Sequence, residues 1–225
     1  MQISPRDVNV TGAIGQGSAR RHVAFGGVAV ILLAALIAWA VHPASTIDLG
    51  RRDRLRQTGI FSEWASGNLV VLIRHAERCD RSKNQCLGDL AGITADGAKV
   101  AAVAGEALRT MGMQNTDIVS SPLLRTVQTS EAMFGVTARI VNRLEDCKNA
   151  AINDVITLKK AGRNLVVVTH SGCIDRYESQ LNVGGTPSSG YVSALFVSKP
   201  ERGAAKALGY LDAPAWQTLL NQASK

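Results

Sequence analysis

Residues 69–78 read LVVLIRHAER, and this stretch decides the fold and points to the chemistry. Its first five residues are all apolar, a pattern typical of a β-strand buried on both faces of a parallel sheet. Arg74 and His75 follow these five residues, and His170 directly follows a second strongly apolar run, Asn164–Thr169. In open α/β sheets, ligands bind beyond the carboxyl ends of the strands. The sequence therefore predicts that His75 and His170 lie at the functional edge of one sheet.

Helices and strands are predicted to alternate around these two runs. Thr94 can cap a helix that Gly112 is placed to end. Ser121 followed by Pro122 is a typical N-cap and first-position pair for a helix that ends at Phe134. The other predicted elements are strands at 117–120, 138–141 and 191–197 and a helix at 152–160. This succession predicts an α/β fold, a three-layer α/β/α sandwich with a mostly parallel sheet.

The amino-terminal part of the chain contains an apolar run of bilayer length. Residues 1–22 are rich in Gly and Ser and are expected to form a disordered cytoplasmic tail. Residues 23–41 carry no charge, and as a helix they would span roughly 30 Å, the thickness of a bilayer core. Arginines precede the run, so its amino-terminal end is expected in the cytoplasm. Residues 42–67 are then expected to be a juxtamembrane spacer with one short helix, and residues 68–225 an exported domain.

A cleavable signal peptide is the alternative interpretation of this run. Ala38-Trp39-Ala40 has the small-residue form of a cleavage site, although the run exceeds the usual length of roughly 7–15 residues. A retained helix would make the protein a single-pass inner-membrane protein with its catalytic domain in the periplasm. Cleavage would release that domain into the periplasm. Both interpretations predict that the folded domain works outside the cytoplasm.

Four cysteines are consistent with an exported domain. An even number of cysteines in an oxidising compartment favours disulfides. Cys79 and Cys86 are close in sequence and form one natural pair, which leaves Cys147 and Cys173 as the other. Four cysteines allow three pairings, so the alternatives stay open. The C-x-x-C or H-x-x-x-H spacing of a zinc site does not occur, and neither a metal nor another cofactor is expected.

The net charge of +7 raises the question of a nucleic-acid partner. Residues 1–67 carry seven basic and four acidic groups, and no run of like charge occurs in the chain. Only 4% of the residues are aromatic, which leaves few rings to stack on bases. These features argue against nucleic-acid binding. A mild positive excess suits an anionic small substrate or an anionic lipid surface.

Arginines are predicted to accompany both histidines. Arg74 directly precedes His75, and Arg125 lies in SSPLLRT, in the first turn of a helix that follows a strand. Helix N-termini favour anions, and arginine adds a forked pair of donors for a phosphate. With His170 at the end of the second apolar run, these residues predict a cationic pocket for a phosphate.

Three segments resemble the histidine phosphatase (phosphoglycerate-mutase-like) superfamily. They are RHAE at 74–77, SSPLLRTVQT at 120–129 and VVVTHSG at 166–172. A longer stretch, RHAERCDRSKNQCLGDLAGIT at 74–94, is similar to one branch, the lipopolysaccharide core heptose(II)-phosphate phosphatases. Proteins of that branch are envelope proteins with an amino-terminal hydrophobic segment. The superfamily resemblance covers roughly residues 68–175.

The resemblance implies roles for four of these residues. It makes His75 the nucleophile that accepts the phosphoryl group, and it makes Arg74, Arg125 and His170 the residues that bind that group. A neutral imidazole is a competent nucleophile, and a covalent intermediate divides one hard step into two easier ones. The superfamily usually has glycine after the nucleophile, whereas this chain has Ala76.

The acid that protonates the leaving alcohol is less well defined. Many superfamily members place an acidic residue between the mid-chain arginine and the second histidine, and Glu145 and Asp146 occupy that interval. Glu77 is the other candidate. Together with Arg78, it is also expected to contact the substrate.

The sequence thus predicts a membrane-anchored periplasmic phosphatase that hydrolyses a phosphomonoester through a phosphohistidine. By resemblance, its substrate is a heptose phosphate of the lipopolysaccharide core. One alternative keeps the chemistry and changes the substrate to a phosphohistidine protein or a phosphorylated metabolite. The other is an inert domain that binds phosphorylated envelope components.

Overall fold

The computed structural model describes residues 44–51, 53–184 and 189–224. The predicted tail at 1–22 and the predicted membrane helix at 23–41 lie outside these ranges. Within them, no helix is long and apolar enough to cross a bilayer. The described residues all belong to one unit that spans residues 43–225.

A six-stranded mixed sheet forms the centre of this unit, in the order β4-β3-β5-β2-β7-β8. The first four strands in that order are parallel, and β7 runs antiparallel to both of its neighbours. Two further short strands, β1 and β6, pair with each other in parallel. The strands are β1 (Ala44–Ser45), β2 (Leu69–Arg74), β3 (Thr116–Ser120), β4 (Arg139–Ile140), β5 (Asn164–Thr169), β6 (Val183–Gly184), β7 (Ala194–Ser198) and β8 (Lys206–Leu211).

Helices cover both faces of the large sheet, as the predicted α/β class requires. Successive residues of a strand point to opposite faces, so Val71 and Val70 of β2 enter two different hydrophobic cores. Residues of α1 to α4 and α7 line one core, and residues of α5 and α6 line the other. The helices are α1 (Arg54–Gln57), α2 (Ile60–Ala65), α3 (Ala95–Thr110), α4 (Leu124–Phe134), α5 (Ile152–Ile156), α6 (Ser171–Gln180) and α7 (Trp216–Ala223).

The segment expected to be a spacer contributes to the first core. Leu55 and Ile60 are fully buried there, and Trp64 is nearly so. The Trp64 carbonyl accepts a hydrogen bond from the side-chain N–H of Asn164, 2.9 Å away. The side-chain oxygen of Asn164 accepts one from the Leu69 backbone N–H. Folding therefore reaches upstream of the expected boundary at residue 68, because these side chains cover one face of the sheet.

Helix α4 begins later than predicted. Its N-cap is Leu123, so Ser121 and Pro122 precede the helix. The Ser121 side chain does not cap α4 because its hydroxyl is hydrogen-bonded to His170. The predicted helix at 152–160 is also shorter, ending at Ile156.

Helices α3 and α4 pack closely, which brings α4 to the functional edge. Thr94 caps α3 as predicted, since its hydroxyl accepts a hydrogen bond from Gly97 N–H at 2.9 Å. Gly105 makes the contact with α4: a Cβ at that position would lie 1.9 Å from the Met133 carbonyl oxygen. Any side chain there would push α4, and with it Arg125, away from α3.

Candidate active site

Strand register places the two histidines side by side. Arg74 of β2 pairs with Thr169 of β5, so the next residue of each strand leaves the sheet at the same point. The His75 N–H donates to the Thr169 carbonyl at 3.0 Å, and the two imidazole centroids lie 5.4 Å apart. The predicted meeting of His75 and His170 at one sheet edge is confirmed.

The His75 ring is oriented by its own backbone. Its Nδ1 lies 2.8 Å from the Ala76 carbonyl oxygen, which can only accept a hydrogen bond. This contact assigns the proton to Nδ1 and leaves a lone pair on Nε2. Arg125 Nε donates toward that Nε2 at 3.3 Å. The nitrogen that can act as a nucleophile therefore faces a guanidinium.

The His170 ring is held differently. Its Nε2 is hydrogen-bonded to the Ser121 hydroxyl at 2.9 Å. Its Nδ1 is buried and has no hydrogen-bond partner among the described residues. Buried polar nitrogens are rarely left unpaired, so a polar group of a ligand is the natural partner for this atom.

Arg74 has the same kind of unpaired group. Its Nη1 donates to the Ser189 carbonyl, while its Nε is buried and unpaired in the described part of the chain. The described residues place no carboxylate within ion-pair distance of Arg74 or Arg125. Two guanidiniums without acidic partners, together with the two imidazoles, form a site suited to a dianion.

Burial and positive charge keep both imidazoles neutral. Burial, assisted by the charges of His170, Arg125 and Arg74, lowers the pKa of His75 to about 3. Burial and the charges of Arg125, Arg78 and Arg74 lower the pKa of His170 to about 4. At neutral pH Nε2 of His75 is therefore unprotonated, as an attack on phosphorus requires, and a bound phosphate would take over the Arg125 donor that faces this nitrogen.

The geometry of this site agrees with the family to which the sequence is similar. Residues 70–155 match the histidine phosphatase superfamily, branch 1. The expected resemblance is confirmed, and the matched family and the names of the relatives both support a phosphatase. The matched range contains three of the four pocket residues, Arg74, His75 and Arg125.

Curated relatives share a longer stretch of sequence with this chain. The lipopolysaccharide core heptose(II)-phosphate phosphatases of Salmonella newport (strain SL254) and Salmonella typhimurium (strain LT2) are each 38% identical to it over 109 residues. That alignment covers 47% of this chain and 54% of each relative. The chain thus spans about half the length of the curated relatives it matches.

A solved structure shows the fold independently. The protein histidine phosphatase SixA, in complex with tungstate, superposes with a TM-score of 0.51 at 15% identity. The superposition covers 65% of this chain and 97% of that one. The mixed sheet with surrounding helices is therefore the histidine phosphatase fold.

Two hydroxyl groups organise the pocket, and the sequence pattern predicted neither of these roles. Ser121 orients His170, as described above. Thr129, one turn beyond Arg125 on α4, accepts a hydrogen bond from the Ala76 N–H at 2.9 Å. It thereby ties the helix that carries Arg125 to the loop that carries His75. Both residues lie within SSPLLRTVQT, so their segment was identified although their roles were not.

None of the acidic candidates is hydrogen-bonded to either imidazole in the described part of the chain. The Glu77 carboxylate accepts hydrogen bonds from Ser82, Asn84 and Thr94 at 2.7–3.0 Å, and the bonds from Asn84 and Thr94 lower its pKa. Its main contacts organise the loop that follows the nucleophile.

Asp146 and Glu145 lie beyond β4, at the end of a 3₁₀-helix. The Asp146 carboxylate accepts hydrogen bonds from Asn149, which lower its pKa. Glu145 is the last residue of that 3₁₀-helix and is exposed. Arg78 is paired with Asp80. Together with burial, the positive charge of Arg78 lowers the pKa of Arg125 and of His170 in the pocket.

Two disulfides hold the segments that frame the site. Cys79–Cys86 closes the loop after the nucleophile, and Cys147–Cys173 joins the acidic segment to the first turn of α6, just beyond His170. Both preferred pairings are confirmed. Within the described residues, no cluster of three or more His, Cys, Asp or Glu side chains could hold a metal ion.

Proposed function

We propose that this protein is a phosphomonoester hydrolase that forms a phosphohistidine on His75. The observation that carries the proposal is the orientation of His75, whose Nδ1 faces the Ala76 carbonyl and whose Nε2 faces the Arg125 guanidinium. A phosphate that binds between Arg74 and Arg125 would present its phosphorus to the Nε2 lone pair.

In the first step, Nε2 attacks phosphorus and the bond from phosphorus to the ester oxygen breaks. Charge spreads over the three equatorial oxygens, and catalysis of phosphoryl transfer depends on positioning and neutralising them. Arg74 and Arg125 supply that neutralisation. The Ala76 carbonyl stabilises the imidazolium through the proton on Nδ1 as Nε2 becomes phosphorylated.

In the second step, water attacks the phosphohistidine and the bond from phosphorus to nitrogen breaks. The proton lost by the water returns to the acid that protonated the leaving alcohol, and inorganic phosphate leaves. Nε2 regains its lone pair, so the cycle closes without net change in the protein. The unpaired Nδ1 of His170 is available throughout as a hydrogen-bond partner for a phosphoryl oxygen or the attacking water.

The proton for the leaving alcohol comes, in this proposal, from Glu145 or Asp146. The Cys147–Cys173 disulfide ties their segment to the helix that starts next to His170. Asp146 is engaged with Asn149 and Glu77 with its loop, and those bonds favour the ionised form of each. Glu145 is therefore the stronger candidate on structural grounds.

The choice of leaving group tests this assignment. A poor leaving group such as a sugar alkoxide needs the proton, whereas 4-nitrophenolate does not. Glu145→Gln should lower kcat for a sugar phosphate by roughly 10²-fold or more and leave 4-nitrophenyl phosphate nearly unaffected. Asp146→Asn distinguishes the two candidates, because only the variant of the true acid should show this difference between the substrates. Equal losses on both substrates would remove Glu145 from the mechanism.

Phosphate release from the purified 225-residue chain tests the reaction itself. The wild type should release phosphate from a phosphomonoester, and His75→Ala should reduce release to the background rate. A substrate labelled on phosphorus should leave an alkali-stable, acid-labile phosphoprotein in the wild type alone. Turnover by His75→Ala, or a wild type that binds phosphate without turnover, would contradict the proposal.

The proposed substrate is a heptose phosphate of the lipopolysaccharide core. Support comes from the 38% identity over 109 residues to relatives that carry this name. The phosphate content of the core should rise in cells that lack the protein and return to normal with the wild-type gene but not with the His75→Ala gene. An unchanged core would direct the search to another phosphomonoester.

The proposed location is the periplasmic face of the inner membrane, with residues 23–41 as the anchor. Two disulfides in the folded unit support an oxidising compartment. The protein should sediment with inner membranes and be digested by protease added to spheroplasts. Protection in spheroplasts would place it in the cytoplasm, and recovery in the periplasmic fluid would indicate a cleaved signal peptide.

A further inference from the structure

The segment before β7 holds the end of β2 in an unusual way. Val192 has a φ of +58°, in the left-handed region that β-branched residues avoid. Its N–H donates to the Arg74 carbonyl at 3.2 Å, and its carbonyl accepts a hydrogen bond from the buried Trp216 indole at 2.7 Å. Backbone strain of this kind persists only where surrounding contacts impose it, and it concentrates at functional sites.

This backbone carries Tyr191 to the Arg74 side chain. The guanidinium carbon of Arg74 lies 4.1 Å from the centroid of the Tyr191 ring, well inside the range of a cation–π contact. The same ring lies 5.8 Å from the His75 ring. Tyr191 therefore contacts one member of the proposed phosphate site and borders another.

Arg74 needs such support because it has no acidic partner within ion-pair distance among the described residues. Burial lowers the pKa of Arg74, and the nearby Tyr191 and Asp175 oppose that effect only in part. A carboxylate would hold the guanidinium but would also compete with the phosphate for it. An aromatic face and the Ser189 carbonyl hold the group without neutralising it.

We propose that Tyr191 is a positioning residue that orients the Arg74 guanidinium toward the phosphoryl group. The ring face takes one side of the guanidinium, the Ser189 carbonyl takes Nη1, and the buried, unpaired Nε is left for a phosphate oxygen. This inference rests on the proposed function, because it assigns Arg74 to phosphate binding.

A purely structural role for Tyr191 is the competing explanation. Its ring also lines a groove of about 210 Å³ together with Val100 and Ala213. Loss of packing there would lower stability but would not change phosphate affinity selectively. Phosphate affinity is therefore the quantity to measure.

Calorimetric titration of the full chain with inorganic phosphate at pH 7 measures that affinity without turnover. Tyr191→Leu should weaken phosphate binding by about tenfold, whereas Tyr191→Phe, which keeps the ring, should stay within about twofold of the wild type. Val100→Ala trims the same groove without touching Arg74 and should bind phosphate like the wild type. In an Arg74→Lys background, Tyr191→Leu should weaken phosphate binding little further, because the partner of the ring is already altered.

Fluorinated phenylalanines at position 191 give a second test if the leucine variant folds poorly. They keep the shape of the ring and weaken its attraction for cations, so phosphate affinity should fall stepwise with fluorination. Equal affinity across the series, or equal losses from Tyr191→Leu in the wild-type and Arg74→Lys backgrounds, would overturn the positioning role alone. A wild type that binds no phosphate would overturn the proposed function as well.

Discussion

The loops that carry His75 and His170 follow the same sequence pattern but hold their imidazoles in different ways. Each histidine directly follows a strand that is almost entirely buried, and only 4% of the surface of His75 and 7% of that of His170 is exposed. His75 is fixed through Nδ1 by its neighbour's carbonyl and offers Nε2. His170 is fixed through Nε2 by Ser121 and offers Nδ1.

This difference shows that the hydrogen bond at one ring nitrogen decides which chemical role the other nitrogen can take. A carbonyl partner can only accept, so it forces a lone pair onto the opposite nitrogen of His75. A serine hydroxyl can donate or accept, so it leaves His170 free to exchange roles as the substrate changes. The first arrangement suits a nucleophile, and the second suits a group that adjusts to the phosphoryl oxygens.

The largest expected effect is the difference in activity between variants of the two histidines. His75→Asn should reduce phosphate release by about 10⁵-fold or to background, because the nucleophile is lost. His170→Asn should reduce it by about 10²–10³-fold while an alkali-stable phosphoprotein still forms, because Nε2 of His75 is intact. A quenched-flow measurement of phosphoprotein and phosphate distinguishes them. Phosphoprotein in the His75 variant would reverse the assignment.

The next effect concerns the guanidinium that faces the nucleophile. Arg125→Lys keeps the charge but loses the planar fork, and kcat/KM should fall by about 10–100-fold. Arg109→Lys on α3 is the matched control, since Arg109 bonds Glu106 and the Met133 carbonyl outside the pocket. Steady-state kinetics on one phosphomonoester is sufficient. Equal behaviour of the two variants would show that Arg125 acts as a point charge.

A smaller effect is expected from the group that orients His170. Ser121→Ala removes a single hydrogen bond and should lower kcat by roughly fivefold, with His75 phosphorylation unchanged. The control is Ser130→Ala, because the buried Ser130 hydroxyl bonds only the Val127 carbonyl of its own helix. Loss of phosphoprotein in Ser121→Ala would mean that the two histidines are coupled more tightly than their contacts indicate.

The smallest effect is the contribution of the two imidazoles to acid stability. Folding lowers the pKa of His75 to about 3 and of His170 to about 4, so between pH 6.5 and these values the unfolded chain binds more protons. Stability is then fully present above pH 6.5 and is lost as pH falls. Between pH 6.5 and pH 4, the Tm of His170→Asn should fall less than that of the wild type. Each kcal/mol of difference in the free energy of unfolding corresponds to about 2–4 °C in Tm. Scanning calorimetry measures it, and parallel curves would contradict the lowered pKa.

Much of this site could be predicted because its signals are local. The apolar runs of β2 and β5, the histidines at their ends and Arg125 beyond β3 are all visible in short segments. Parallel pairing then brings strand ends together, which is why His75 and His170 meet. The two disulfide pairings also followed from spacing and were confirmed.

Other features escaped prediction because their partners are distant in sequence. One short helix was expected in the spacer, but its two helices, α1 and α2, have four and six residues, too few to show a helical period. Their burial of Leu55, Ile60 and Trp64 was not predicted. Ser121 has the residue type and position of an N-cap, but a buried imidazole takes its hydroxyl. Tyr191 belongs to no motif at all.

The sequence by itself determined the class of fold and the chemical groups at the site, because burial on two faces and a histidine after each strand are properties of short segments. Tertiary structure decided which nitrogen of each histidine is free and which residues support the arginines. Those choices depend on hydrogen bonds such as the one between Ser121 and His170 and on the contact between Tyr191 and Arg74. Such contacts form only when the sheet, α4 and the segment before β7 have packed together, so no local pattern encodes them.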